Sequence, residues 1–214
     1  MELISHEVSR LVYLTNIVRS EGNAYLPELA QRVIQKYSFL KFPNADDLQK
    51  DTRIFSLGRF RDTQINELSV YGDGVIAAGR CSTKLLQAFL SDLFNFVEVE
   101  YGYRQSNILD PETHFESGLL VRSAKDLTSA IAPPKRVTTL INQTLRKNND
   151  AEYLAFGTHF ETDVRVPNRR RRPVRFSLER RLGIPFEKNV FYSQAPLETD
   201  DHFALLEGIE SLAE

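Results

Sequence analysis

The chain has a single cysteine, Cys81, among its 214 residues. One cysteine excludes an internal disulfide and any cysteine-rich zinc site, and such sparse use fits a reducing compartment. No apolar run approaches the ~18 residues that a membrane-spanning helix needs. The N-terminus also carries acidic and polar residues where a signal peptide has a basic region. We therefore expect a cytoplasmic protein with no membrane contact.

Motifs for cofactors and metals are missing as well. The sequence contains neither G-x-x-x-x-G-K-[ST] nor G-x-G-x-x-G, the loops that cradle phosphates. Its four histidines show no H-x-x-x-H or E-x-x-H spacing. Cys81 precedes a predicted helix, but no nearby residue supplies a base. We therefore expect no bound cofactor, no metal and no enzymatic activity.

Positive charge is concentrated in one segment. Between Arg165 and Arg181 there are eight arginines and one acid, so this window carries +7. Because the whole chain has a formal net charge of −2, the other 197 residues carry −9. Four of the arginines are consecutive and lie between Pro167 and Pro173. A role in coating DNA would therefore have to act through one local patch on an acidic body.

The N-terminal segment has apolar residues at helical spacing. Positions 4, 8, 11, 12, 15 and 18 fall on one stripe within residues 3–20, and residues 26–37 repeat the spacing with Pro27 in the first turn. This pattern predicts a helical hairpin over residues 1–50, packed on the main domain. Residues 51–214 are predicted to form one α+β domain.

From Arg53 the apolar period changes to two. We predict strands at 53–60, 63–71 and 74–80, with Gly72 and Gly74 in a tight turn, and then a helix at 82–98. The second half predicts a strand at 117–123, a helix at 134–147, strands at about 152–164 and 173–182, and a final helix from Thr199 or Asp200. This order predicts an α+β fold, with a mostly antiparallel sheet covered by helices and an N-terminal helical hairpin.

The last two predicted strands are both amphipathic. Paired as a hairpin, they place His159 opposite Glu179 and Asp163 opposite Arg175, which are complementary charges on one polar face. Phe160 then points inward. The arginine run is placed at the tip of the hairpin, where adjacent guanidinium groups repel one another unless an anion lies among them.

The arginines and the aromatic loop after them predict a binding surface. Guanidinium groups bind carboxylates in a bidentate fashion, and arginine and aromatic residues are enriched at binding hot spots. Our first hypothesis is a non-enzymatic assembly or adaptor subunit that binds an acidic protein partner or copies of itself. The predicted contact residues are Arg165, Arg169, Arg170, Arg171, Arg172, Arg175, Arg180, Arg181, Phe186, Phe191 and Tyr192.

Three alternatives stay open. The same arginines could bind the phosphates of a nucleic acid, although the nearby aromatic residue Phe176 is predicted to point inward rather than to stack on bases. A hydrolase could be built around His159 and Glu161, which share one face of a strand. The arginine run could also be a solvated loop that serves only solubility.

Overall fold

The computed structural model describes residues 1–15, 17–19, 26–105, 112–130, 134–145, 154–161 and 173–213. Strands dominate this part of the chain: eight of them form one antiparallel sheet in the order β3-β4-β5-β1-β7-β10-β9-β8, and β2 pairs with β6. The strands are β1 (Glu2–Leu14), β2 (Ile17–Arg19), β3 (Arg53–Phe60), β4 (Thr63–Tyr71), β5 (Gly74–Gly79), β6 (Tyr103–Gln105), β7 (Glu112–Arg122), β8 (Gly157–Phe160), β9 (Phe176–Arg180) and β10 (Val190–Ala195). The helices are α1 (Leu26–Tyr37), α2 (Thr83–Tyr101), α3 (Pro134–Leu145) and α4 (Thr199–Leu212).

The predicted N-terminal helical hairpin is wrong. The first element is the strand β1, which pairs antiparallel with β5 so that Leu11 lies opposite Ala77. Leu11 and Val12 are both buried although they point to opposite faces of the strand. Burial on both faces masks the alternation of a strand and leaves a pattern that also fits a helix. The α+β character of the fold is confirmed.

The chain divides into two compact units. The N-terminal unit comprises His6–Ser117 and Leu197–Thr199, and the C-terminal unit comprises Met1–Ser5, Gly118–Pro196 and Asp200–Glu214. The strands β1 and β7 each contribute residues to both units.

In the N-terminal unit, helix α2 has the strong apolar stripe that the sequence predicts. Ser82 caps it by accepting a hydrogen bond from the backbone N–H of Leu85 at 3.3 Å, and Gly102 ends it in the left-handed conformation, with φ at 65°. The core of this unit joins the inward faces of β1, β3, β4 and β5 to α1 and α2. Its largest fully buried side chains are Leu11, Tyr37, Ile65, Leu68, Leu86 and Phe89.

In the C-terminal unit, a smaller core lies between the sheet and helix α4. Leu178 and Phe191 are fully buried on β9 and β10, and Leu206 of α4 packs against them. Phe203 and Ile209 extend the same helical stripe at the spacing that the sequence predicts. None of the described helices is both long and apolar enough to cross a lipid bilayer.

Candidate functional site

The strand β8 lies at the edge of the sheet and pairs with β9 in a register two residues from the predicted one. His159 lies opposite Ser177, and Gly157 lies opposite Glu179. The predicted register is therefore wrong, although His159 and Glu179 still make a diagonal contact, with 3.2 Å between Nε2 and Oε1. Because the shift is an even number of residues, each side chain keeps its predicted face.

Large apolar side chains are exposed along this edge. Phe160 was expected to point inward; it shares a face with the buried Leu178, and its ring lies 5.9 Å from Phe176, but 54% of it is exposed. Residues before β8 and after β9 expose apolar side chains as well. We call the four exposed side chains the edge strip: Leu154 (53% exposed), Phe156 (36%), Phe160 (54%) and Leu182 (77%).

Two exposed arginines lie at the two ends of β9 and, by the alternation of that strand, on the face opposite to Leu178. Arg175 directly precedes β9 and Arg181 directly follows it. Neither guanidinium has an ionic partner among the residues that the structure describes. Positive charge with no counter-charge among the described residues therefore lies at both ends of β9.

Arg180 was expected on the same surface but lies in the interior of the C-terminal unit. Its side chain is 6% exposed, and its Nη2 lies 2.6 Å from Oδ1 of Asp126. Its Nη1 donates to the carbonyl oxygen of Phe186 at 2.9 Å, and the guanidinium lies over the rings of Phe186 and Phe191. Phe191 was also expected at the surface and is fully buried. The guanidinium of Arg180 and the ring of Phe191 therefore make their contacts inside the unit rather than with a partner.

The other predicted contact residues divide into two groups. Phe186 and Tyr192 are half-buried, and Tyr192 lies opposite Glu179, on the sheet face away from the C-terminal core. Arg165 and the run Arg169–Arg172 lie outside the described residues, as does Asp163, so the hairpin tip itself is not part of the site described by the structure.

A second group of polar residues, not anticipated from the sequence, lies inside the C-terminal unit. The Nε2 of His202 lies 2.9 Å from Oγ of Ser193, and that hydroxyl donates to the carbonyl oxygen of Ser177 at 2.7 Å. Since the hydroxyl proton is used in this bond, Ser193 accepts a hydrogen bond from His202. Both side chains are fully buried. This pair is therefore a satisfied polar network of the core rather than an exposed nucleophile and base.

The residues proposed for a hydrolase are at the surface. His159 is 46% exposed, and Glu161 is exposed just beyond β8. Within the ranges that the structure describes, no group of three or more histidine, cysteine, aspartate or glutamate side chains could hold a metal ion.

Comparison with known proteins shows no family for this chain. No protein-family model matches it, and neither does any curated protein sequence. Among solved structures, a chain described as Methanococcus jannaschii TBP is similar over 99% of this chain and 96% of that chain, with a TM-score of 0.47 and 10% sequence identity. A similarity of this size supports no functional assignment.

Proposed function

We propose that this protein is a non-enzymatic assembly or adaptor subunit that binds an acidic protein partner through the edge strip. The observation that supports the proposal is the row of four large apolar side chains, 36% to 77% exposed, at one edge of the sheet. Proteins rarely leave such a patch in water unless it binds another surface, and a polar rim around it is typical of an interaction site.

The backbone of β8 favours a strand as the bound element. In the sheet order, β8 has β9 on one side and no described strand on the other. An unpaired edge presents N–H and C=O groups that an extended segment of a partner can bind. The partner's alternate side chains would then cover Phe156 and Phe160.

The charges flanking the strip favour an acidic partner. Arg175 and Arg181 are exposed and have no ionic partner among the described residues. They belong to the 165–181 window, which carries +7. The rest of the chain carries −9, so a second copy of this protein is itself an acidic partner, and self-association is the alternative form of the same proposal.

The test combines two substitutions in the strip with a matched control. Phe156→Asp with Phe160→Asp puts charge into the strip, and Leu40→Asp puts charge at an exposed apolar residue, 75% exposed, in the other unit. Tagged proteins are used to capture partners at several salt concentrations with and without nuclease, and sedimentation velocity measures self-association. We expect a complex that resists nuclease, weakens with salt, is lost in the strip variant and survives in the control.

Two results would contradict this proposal. Equal binding by wild type and the strip variant would show that the edge strip is not part of the interface. A complex that disappears on nuclease treatment, with a salt slope near −0.9 per phosphate for duplex or −0.7 for single strands, would instead assign the arginines to nucleic acid.

A further inference from the structure

The N-terminal unit contains an apolar cavity of about 250 Å³, between helices α1 and α2 and the strands β3 to β5. An engineered apolar cavity of about 150 Å³ is large enough to bind benzene, so this one has room for a larger hydrocarbon. Its lining is mostly aliphatic and aromatic and includes Leu29, Ala30, Val33, Phe55, Leu93 and Phe94.

Arg53 is the charged residue of this lining. It lies opposite Val70 in the pairing of β3 with β4 and is half-buried. Its Nε donates to the carbonyl oxygen of Leu48 at 2.8 Å, which fixes the plane of the guanidinium. The two terminal nitrogens have no hydrogen-bond or ionic partner among the residues that the structure describes. A charged group placed beside an apolar cavity without an anion is costly, because part of its hydration is lost.

We propose that this cavity binds a medium-chain aliphatic carboxylate, with the hydrocarbon chain among the apolar side chains and the carboxylate on the terminal nitrogens of Arg53. A guanidinium presents two parallel N–H groups that match the two oxygens of a carboxylate. One arginine neutralises a monoanion, whereas a dianionic phosphate would leave a negative charge uncompensated beside apolar walls. The cavity is larger than one that holds benzene, so it has room for a medium-length hydrocarbon chain, and octanoate is the first ligand to test.

The first measurement uses the whole wild-type protein and three ligands with the same chain. Octanoate, octanol and octyl phosphate are titrated by calorimetry, and octanoate is expected to bind at least tenfold more tightly than either of the others. A series from hexanoate to dodecanoate measures the size of the cavity. Affinity should rise about fourfold for each added CH₂ and then level off once the cavity is full.

Substitutions locate the site. Arg53→Gln keeps a group that can donate to Leu48 but removes the charge, and it should weaken octanoate binding at least tenfold while changing octanol binding less than twofold. Arg59→Gln is the matched control, since Arg59 lies on the same strand, is exposed and does not line the cavity. Ala30→Leu narrows the cavity and should shift the preferred chain to a shorter one.

The outcomes separate the proposal from its competitors. No octanoate binding, or binding that Arg53→Gln and Arg59→Gln weaken equally, would overturn it. Octyl phosphate binding more tightly than octanoate would overturn the carboxylate assignment. If circular dichroism shows Arg53→Gln to be unfolded, the wild-type preference for octanoate over octanol decides, and equal affinity for these two ligands overturns the role of Arg53.

Discussion

The guanidinium of Arg180 and the carboxylate of Asp126 form an ion pair with 2.6 Å between Nη2 and Oδ1, in which the arginine is 6% exposed and the aspartate 42% exposed. The charge of Arg180 is therefore satisfied inside the C-terminal unit, and the residue is expected to act on stability rather than on binding.

Replacing Arg180 by alanine should destabilise the protein by about 1–3 kcal/mol, because the carbonyl oxygen of Phe186 loses its donor and the rings of Phe186 and Phe191 lose their contact with the guanidinium. Asp126→Asn should destabilise the protein as well, because it leaves the buried guanidinium of Arg180 without its counter-charge. Urea unfolding of both variants measures the difference. A stable Arg180→Ala protein that no longer binds its partner would show that Arg180 contributes to binding rather than to stability.

Glu210 should make stability dependent on pH. Its Oε1 accepts a hydrogen bond from Oγ of Ser123 at 2.5 Å and another from the backbone N–H of Ala124 at 2.9 Å. The bond from Ser123, more than any other interaction, holds the pKa of the Glu210 carboxyl below its ordinary value. A carboxyl with a lower pKa in the folded state stabilises the protein above its unfolded pKa, and this stabilisation is lost as the pH falls through the folded value.

Glu210→Gln should therefore lower the free energy of unfolding at neutral pH by about 1–3 kcal/mol, and the difference from wild type should shrink as the medium becomes acidic. Denaturant unfolding at several pH values from neutral down to about pH 3 measures it. Glu207→Gln on the same helix, at an exposed position, is the control and should follow the wild-type curve. A Glu210→Gln deficit that stays constant with pH would contradict this assignment.

Cys81 should be unreactive in the folded protein. Its side chain is 7% exposed, and burial raises the pKa of the thiol to about 11. At about pH 8 the thiol is then protonated, and the thiolate is the form that reacts with disulfide reagents. Labelling with such a reagent should be slow in buffer and fast in concentrated guanidinium chloride. Rapid labelling of the native protein would show that the thiol is accessible and its pKa unshifted.

The turn between β4 and β5 offers a matched pair of glycine substitutions. A Cβ on Gly74 would lie 2.6 Å from the backbone oxygen of Tyr13, whereas a Cβ on Gly72 would meet nothing within 4 Å. Gly74→Ala should therefore cost about 1–3 kcal/mol, because the backbone of β1 must shift. Gly72→Ala should change stability by less than about 0.5 kcal/mol. Thermal unfolding of the two variants compares them, and equal costs would show that β1 adjusts freely at Tyr13.

Local patterns predicted the N-terminal unit well wherever one face of an element is buried. The strands 53–60 and 63–71 and the helix after Ser82 are found where alternation and capping place them. The prediction is wrong for β1, because Leu11 and Val12 are both buried and the alternation is lost. Burial on two faces depends on the elements that cover each face of the sheet, which the local sequence does not specify.

The strand β10 was missed for a different reason. Its inward face carries Phe191, Ser193 and Ala195, so a polar residue occupies a core position. Ser193 is accommodated because it bonds to Ser177 and His202, which are distant in sequence. The local sequence does not show these partners, so it predicts an irregular loop for this segment.

The sequence predicted which face of the strand each residue of the candidate site occupies, but not its exposure or the strand register. Alternation assigned Phe160 to the same face as Leu178, and this is correct, but it did not show that only Leu178 is covered. Whether a residue on that face is covered depends on what packs over it, which the alternation of the strand does not specify. The register also could not be fixed, because a shift of two residues leaves every side chain on its face.

The division into two units determines when the segments of each unit become available during synthesis. The N-terminal unit takes His6–Ser117 as one unbroken stretch, whereas the C-terminal unit joins Met1–Ser5 to residues from Gly118 onward. At roughly 5–20 residues per second, the ribosome takes about 6–22 s to synthesise the 112 residues between Ser5 and Gly118. His6–Ser117 is therefore complete before any residue from Gly118 onward exists. Residues Met1–Ser5 are thus synthesised early and reach the rest of their unit late.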